Sequence, residues 1–134
     1  MIENFSIGID ISSVKKFSEK PFKDNESFYK KNFSKEEIEY CLRFKNNSEK
    51  FAGRFALKEA VIKSIKEQIA FSKIETSYLD SKILIKILDS EKKYKFNASL
   101  SHENELTIAV VISEKIKWIS PLLFYSILQV LNWK

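Results

Sequence analysis

Three residues that can handle phosphate and metal crowd into one short stretch. Lys58, Glu59 and Lys63 all lie in FAGRFALKEAVIKSI, residues 51–65. Wound as a helix at roughly 100° per residue, Glu59 and Lys63 share a flank in the orientation that favours an ion pair. Ala52, Gly53, Ala56 and Ala60 leave the neighbouring surface almost bare, so another backbone or a ligand can approach closely. A carboxylate framed by two lysines beside such a surface suits a metal ion and phosphates. A second acid, Asp10, sits in IGIDI at residues 7–11, a strand-like run where acidic residues are depleted. Gly8, two positions earlier on the same face, clears space beside it. Plainer readings stand next to these. Lys58 snorkels past the stripe's edge, Glu59–Lys63 is a solvated pair, and Asp10 caps the turn at Ser12–Ser13.

The elements that must position these groups follow from periodicity. Phe51, Phe55, Ile62 and Ile65 make one narrow apolar stripe on the helix, and Lys58 falls inside it. An unpaired ammonium there is costly to bury. Phe5, Ile7, Ile9 and Ile11 alternate with Ser6, Gly8 and Asp10, the period of a half-buried strand. Val14 and Phe17 fit a short helix from Ser13 to about Lys20, which Pro21 breaks. Residues 22–33 read as a loop or short helix ending at Phe33. Ser34 with Glu37 is a capping-box signature, opening a helix to about Phe44. Asn46, Asn47 and Ser48 are turn residues; Ser48 can cap the long helix, which reads on to about Ile69.

Extended runs then follow at Phe71–Tyr78, Lys82–Leu88, Tyr94–Ser101 and Glu105–Ser113. The last two are joined by His102-Glu103-Asn104, short enough for a hairpin. That places His102, the single histidine, at a strand end, where a lone histidine is ordinarily solvated. The tail from Trp118 to Trp133 carries no charge. Ser120 and Pro121 read as its N-cap and first helical residue, giving an apolar helix at about 120–132. It is too short to cross a bilayer and lacks the lysines of an interfacial helix. Packing on its own domain or on a neighbouring subunit is expected.

Composition bounds the rest. A chain of 134 residues, 44% hydrophobic and 13% aromatic, suits one domain that buries roughly two-thirds of its unfolded surface. One cysteine, Cys41, excludes an internal disulfide, and no Cys/His cluster has zinc-ligand spacing. A reducing cytoplasm is the expected compartment. MIENFSIGID does not read as a signal peptide. The net charge of +5 is almost all lysine, with Arg43 and Arg54 the only arginines. A nucleic-acid module would concentrate arginine and interleave aromatics; here the lysines are spread. An acidic partner, with neither nucleic acid nor membrane, is the expectation.

IGIDI at 7–11, RFALKEAVIKSI at 54–65 and SLSHENELTIAVVI at 99–112, with FSKEE between the first two, together resemble the holo-acyl-carrier-protein synthase family of phosphopantetheinyl transferases. The likeness covers about residues 5–113. It implies an α+β fold, a mostly antiparallel sheet packed on a long central helix. It implies transfer of the 4′-phosphopantetheine arm of coenzyme A to a serine of an acyl carrier protein, releasing adenosine 3′,5′-bisphosphate. Carried over by position, Asp10 and Glu59 are the Mg2+ ligands. Either Glu59 or a water takes the serine's proton. Lys63 stabilises the phosphates and Lys58 assists or anchors. Arg54 and His102 match positions near bound coenzyme A. Lys15, with Lys16 beside it, matches a basic position that meets the acidic carrier protein. A homotrimer with coenzyme A between subunits follows by analogy, as does the alternative of an inactive member that binds carrier or coenzyme. Three departures stand out, one of them the apolar tail beyond Lys117, which has no counterpart in the family pattern. The family's Gly-Lys-Pro turn is replaced within SYLDSKILIKIL, and no glycine follows Lys63–Ser64.

Overall fold

The computed structural model describes residues 4–90, 93–116 and 121–131. In chain order these form β1 (Phe5–Ser13), α1 (Lys15–Ser18), a 3-10 turn (Phe22–Asp24), α2 (Glu26–Asn32), α3 (Lys35–Leu42) and α4 (Asn47–Ile65). A second 3-10 turn (Phe71–Lys73), β2 (Ile74–Leu79), β3 (Lys82–Ile87), β4 (Lys93–Glu103), β5 (Leu106–Ile116) and α5 (Pro121–Leu131) follow. β1, β5 and β4 make an antiparallel three-stranded sheet in that order, and β2–β3 is a separate antiparallel hairpin. This is the expected α+β arrangement. Ser120, expected to cap α5, lies outside the described residues.

α4, about 28 Å long at 1.5 Å per residue, is the axle. Ala56, Leu57, Ala60, Val61 and Ile65 pack against Ile74, Ala109 and Val111 on the sheet side. Phe51 and Ala52 join Phe17, Tyr29, Phe33, Ile38 and Cys41 from the small helices. Burial pushes the Cys41 thiol up to about 12, so the lone cysteine is an inert core residue. α4 stops at Ile65 rather than near Ile69, because Lys66 adopts a left-handed conformation (φ 57°) and its N–H closes on Ile62 O. A lysine thus fills the C′ position that glycine usually takes. The β2–β3 turn is likewise made without glycine: Asp80 (φ 48°) and Ser81 (φ 66°) are both left-handed, as a two-residue hairpin turn of the primed type requires. Ser34 and Glu37 form both halves of the capping box that opens α3.

A half-buried strand ordinarily turns its apolar face inward. β1 does the reverse. Gly8 and Ser12 are buried against α4 and Asp10 is half-buried, whereas Ile7 and Ile9 are 65% and 58% exposed. The cause is the close approach of strand to helix. A Cβ on Gly8 would lie 2.0 Å from Ala60 O and 2.8 Å from Ser64 N, so the bare helix surface is covered by backbone.

Lys58 is fully buried on the other side of α4. Its three donors all have acceptors: Glu37 Oε1 at 2.6 Å, Asn32 O at 2.8 Å and Phe71 O at 3.1 Å. Glu37 Oε1 also accepts from Ser34 N (2.9 Å), while Glu37 Oε2 accepts from Thr76 N (3.3 Å) and from the Thr76 hydroxyl. Arg54 Nη1 donates to Thr76 Oγ1 at 2.7 Å, and its guanidinium lies over the rings of Tyr40 and Tyr78. Burial pulls the Lys58 pKa down and Glu37 opposes the shift. This web ties α2, α3 and β2 to one turn of α4.

Two substitutions test these packings. Gly8→Ala should force β1 off α4 and cost about 1–3 kcal/mol, seen as a lower thermal midpoint. Gly53→Ala, whose Cβ meets Leu100 Cδ1 at 3.4 Å, should change stability by no more than about 0.5 kcal/mol. Equal effects at both positions would refute the contact. Lys58→Met strips the buried Glu37 of its cation and should cost about 3–5 kcal/mol in denaturant titration. Adding Glu37→Gln, which keeps the hydrogen-bonding shape without the charge, should recover at least half of that loss.

Candidate functional site

Asp10 reaches the helix-facing side of β1 because it is two residues on from Gly8, in phase with it. Lys63 meets it there. Its Nζ stands 3.0 Å from Asp10 Oδ1 and 3.0 Å from Ile9 O. Helix side chains lean toward the N-terminus, so the Lys63 ammonium reaches back to the level of Glu59, one turn earlier on the same flank. The expected Glu59–Lys63 pair does not form: Lys63 is held instead by a carboxylate and a carbonyl fixed on the strand. Glu59 is half-buried and has no hydrogen bond or ion pair among the described residues. The Asp10–Lys63 pair is open to solvent on the lysine side, 53% against 16% for the aspartate, and is worth about 1 kcal/mol or less. Lys63 can therefore change partners cheaply.

The donor set fits Mg2+. Asp10 and Glu59 offer hard carboxylate oxygens from two elements on one flank of α4. No cluster of three or more His, Cys, Asp or Glu side chains occurs among the described residues. A site with two protein ligands suits an ion that keeps several waters and shares the rest of its shell with phosphates.

The other expected site residues are placed less simply. Lys58 does not face this flank. It is consumed by the buried web, so direct contact with a coenzyme is corrected to anchoring, the second role expected of it. Arg54 is also buried, and its reach is through Tyr78, which lines an open cleft of about 510 Å3 together with Ser81, Lys82, Asn97 and Ser99. His102 lies within β4 rather than in the turn and is exposed, 3.4 Å from Glu49 Oε1. It pairs across to Thr107, and Asp10 pairs to Ala109, so the two occupy opposite edge strands of the sheet, about 12 Å apart from two strand spacings and a two-residue offset. One chain does not bring them together. Lys15 on α1 pairs with Glu19 at 3.6 Å, and Lys16 Nζ sits 3.8 Å over the Phe55 ring. Sequence reasoning missed Glu37 as the partner of Lys58, having assigned it only to the cap. The signal was present: a lysine inside an apolar stripe demands a buried carboxylate.

Comparison with known proteins establishes the family and the fold. Residues 6–111 match the family model of the 4'-phosphopantetheinyl transferase superfamily. The holo-[acyl-carrier-protein] synthase of Halothermothrix orenii is 37% identical over 121 residues, covering 81% of this chain and 96% of that protein. That of Caldicellulosiruptor bescii is 31% identical over 121 residues, covering 83% and 98%. Among solved structures, Helicobacter pylori holo-[acyl-carrier-protein] synthase in complex with coenzyme A superposes with a TM-score of 0.70 at 30% identity, covering 81% of this chain and 99% of that one. With the same pieces in the same order on the same fold, this chain belongs to the holo-acyl-carrier-protein synthase family of 4'-phosphopantetheinyl transferases.

Proposed function

We propose that the protein transfers the 4′-phosphopantetheine arm of coenzyme A to a serine hydroxyl of an acyl carrier protein. The observation that carries the proposal is the meeting of Asp10 and Lys63 across the β1–α4 contact, with Glu59 unpaired on the same flank. The serine oxygen bonds to the pantetheine-side phosphorus of the diphosphate. The bond from that phosphorus to the bridging oxygen breaks, and adenosine 3′,5′-bisphosphate leaves. Asp10 and Glu59 hold Mg2+, which when bound neutralises charge on the diphosphate. Lys63 exchanges Asp10 for the phosphates and stabilises the charge that builds on the leaving side. Glu59 accepts the serine's proton, directly or through a water.

The coenzyme lies along the cleft under the β2–β3 turn, with Arg54 steadying Tyr78 from behind and His102 touching the ribose or phosphates. His102 and Asp10 on opposite sheet edges favour a site shared between subunits. The outward apolar face of β1 and β5 supplies the surface: Phe5, Ile7, Ile9, Ile11, Ile108 and Ile112 are all exposed, a row that a homotrimer would cover. Lys15 and Lys16 at the end of β1 steer the acidic carrier protein.

Incubation with apo carrier protein, coenzyme A and Mg2+ should add the arm's mass to a single serine. Asp10→Ala and Glu59→Ala should each abolish the gain. No gain with several carrier proteins, alongside calorimetric binding of one of them, would make this an inactive binder. Sedimentation velocity should give a trimer, and Ile9→Glu should dissociate it; a monomeric wild type would refute the shared site.

A further inference from the structure

α5 is apolar on nearly every side and is left uncovered. Leu122 is 82% exposed, Val130 75%, Leu131 70% and Tyr125 66%, with Leu123, Ile127 and Leu128 also exposed. At roughly 100° per residue these positions run round most of the circumference. A helix apolar all round belongs inside a large core or in lipid. Of the two packings expected of the tail, on its own domain or on a neighbouring subunit, the first does not cover it among the described residues, since both the helix and the apolar face of β1 remain exposed. Apart from the Tyr125 hydroxyl, the only polar side chains of the helix are Ser126 and Gln129. The Ser126 hydroxyl is already satisfied within the helix, donating to Leu122 O at 3.0 Å, as a low-dielectric surrounding demands.

Three further features select a bilayer surface over a second copy of the chain. Pairing with another α5 would cover one face and leave the rest in water. The sequence sets Trp118 and Trp133 on either side of the helix, the residue type enriched at both membrane–water boundaries. Lys115, Lys117 and Lys134 flank the uncharged run in a chain of net charge +5, complementary to anionic headgroups. At about 16 Å the helix is far shorter than the roughly 30 Å hydrocarbon layer, and no described helix is long and apolar enough to cross a membrane. We propose that α5 is a one-leaflet anchor that seats the protein on an anionic bilayer surface. This reverses the expectation of no membrane, which rested on segment length and on lysines sought within the helix, not beside it.

The chain has only two tryptophans, both flanking α5, so their emission reports the tail alone. The full chain should co-sediment with vesicles of equal phosphatidylglycerol and phosphatidylcholine, with a blue shift, and bind several-fold less to phosphatidylcholine alone. Leu122→Glu with Val130→Glu should cut the bound fraction at least tenfold without moving the melting temperature. Three results would overturn the anchor: no binding to either vesicle, undiminished binding of the double variant, or emission already blue without lipid and red-shifting on dilution, which would mean a second copy covers the helix. Equal binding to both vesicles would overturn the anionic preference.

Discussion

The backbone of β1 rests directly on α4 at Gly8, and the proposed chemistry depends on that separation. Strand and helix can lie this close only where the strand presents no side chain, so a glycine must face the Ala60 carbonyl. The same phase that brings Gly8 to the helix brings Asp10 two residues later, and the backward lean of helical side chains brings Lys63 to meet it. Active-site geometry tolerates little error, since a displacement of about 1 Å can cost on the order of a hundredfold in rate. A bulkier residue at Gly8 would impose a shift of that order. The site is thus set by a glycine that takes no part in chemistry.

The opposite side of α4 fixes the rotation of the helix. Lys58 and Glu59 are neighbours about 100° apart, one locked into a buried web and the other on the flank that carries Lys63. Once Lys58 is held by Glu37, Asn32 O and Phe71 O, the heading of Glu59 follows. Buried ion pairs are weak sources of net stability but severe penalties when broken. The web therefore selects one setting of the helix and of the small helices around it. Arg54, lying over the adjoining rings of Tyr40 and Tyr78, extends the same network toward the cleft beside β4.

What the single chain leaves uncovered is as informative as what it buries. Among the described residues two apolar surfaces stand open, the outer face of β1 and β5 and most of α5, and they differ in kind. The sheet face is one-sided, the form of a surface that meets another protein surface. The helix is apolar nearly all round, which one partner helix cannot satisfy. The proposed subunit interface and the proposed seat in lipid answer these two shapes separately.

Much of this protein was legible in its residues. The long helix, the capping box at Ser34 and Glu37, the order of strands and the acid and lysine motifs are local patterns, and local patterns survive in one dimension. The nearness of Asp10 to the helix flank could be expected from the bare surface of Ala52, Ala56 and Ala60 beside a glycine-bearing strand. The stop at Lys66 could not be read, because a lysine forced into a left-handed conformation is held there by its surroundings rather than its preference. That Lys58 needs a buried carboxylate could be read, but not which one, nor the choice of Asp10 over Glu59 by Lys63, since each pairing joins residues tens of positions apart. The orientation of β1 reveals the division most clearly. Alternation along the sequence determined that the strand has two faces. Only packing decided which one turns inward, because backbone contact with α4 admits glycine where it cannot admit isoleucine.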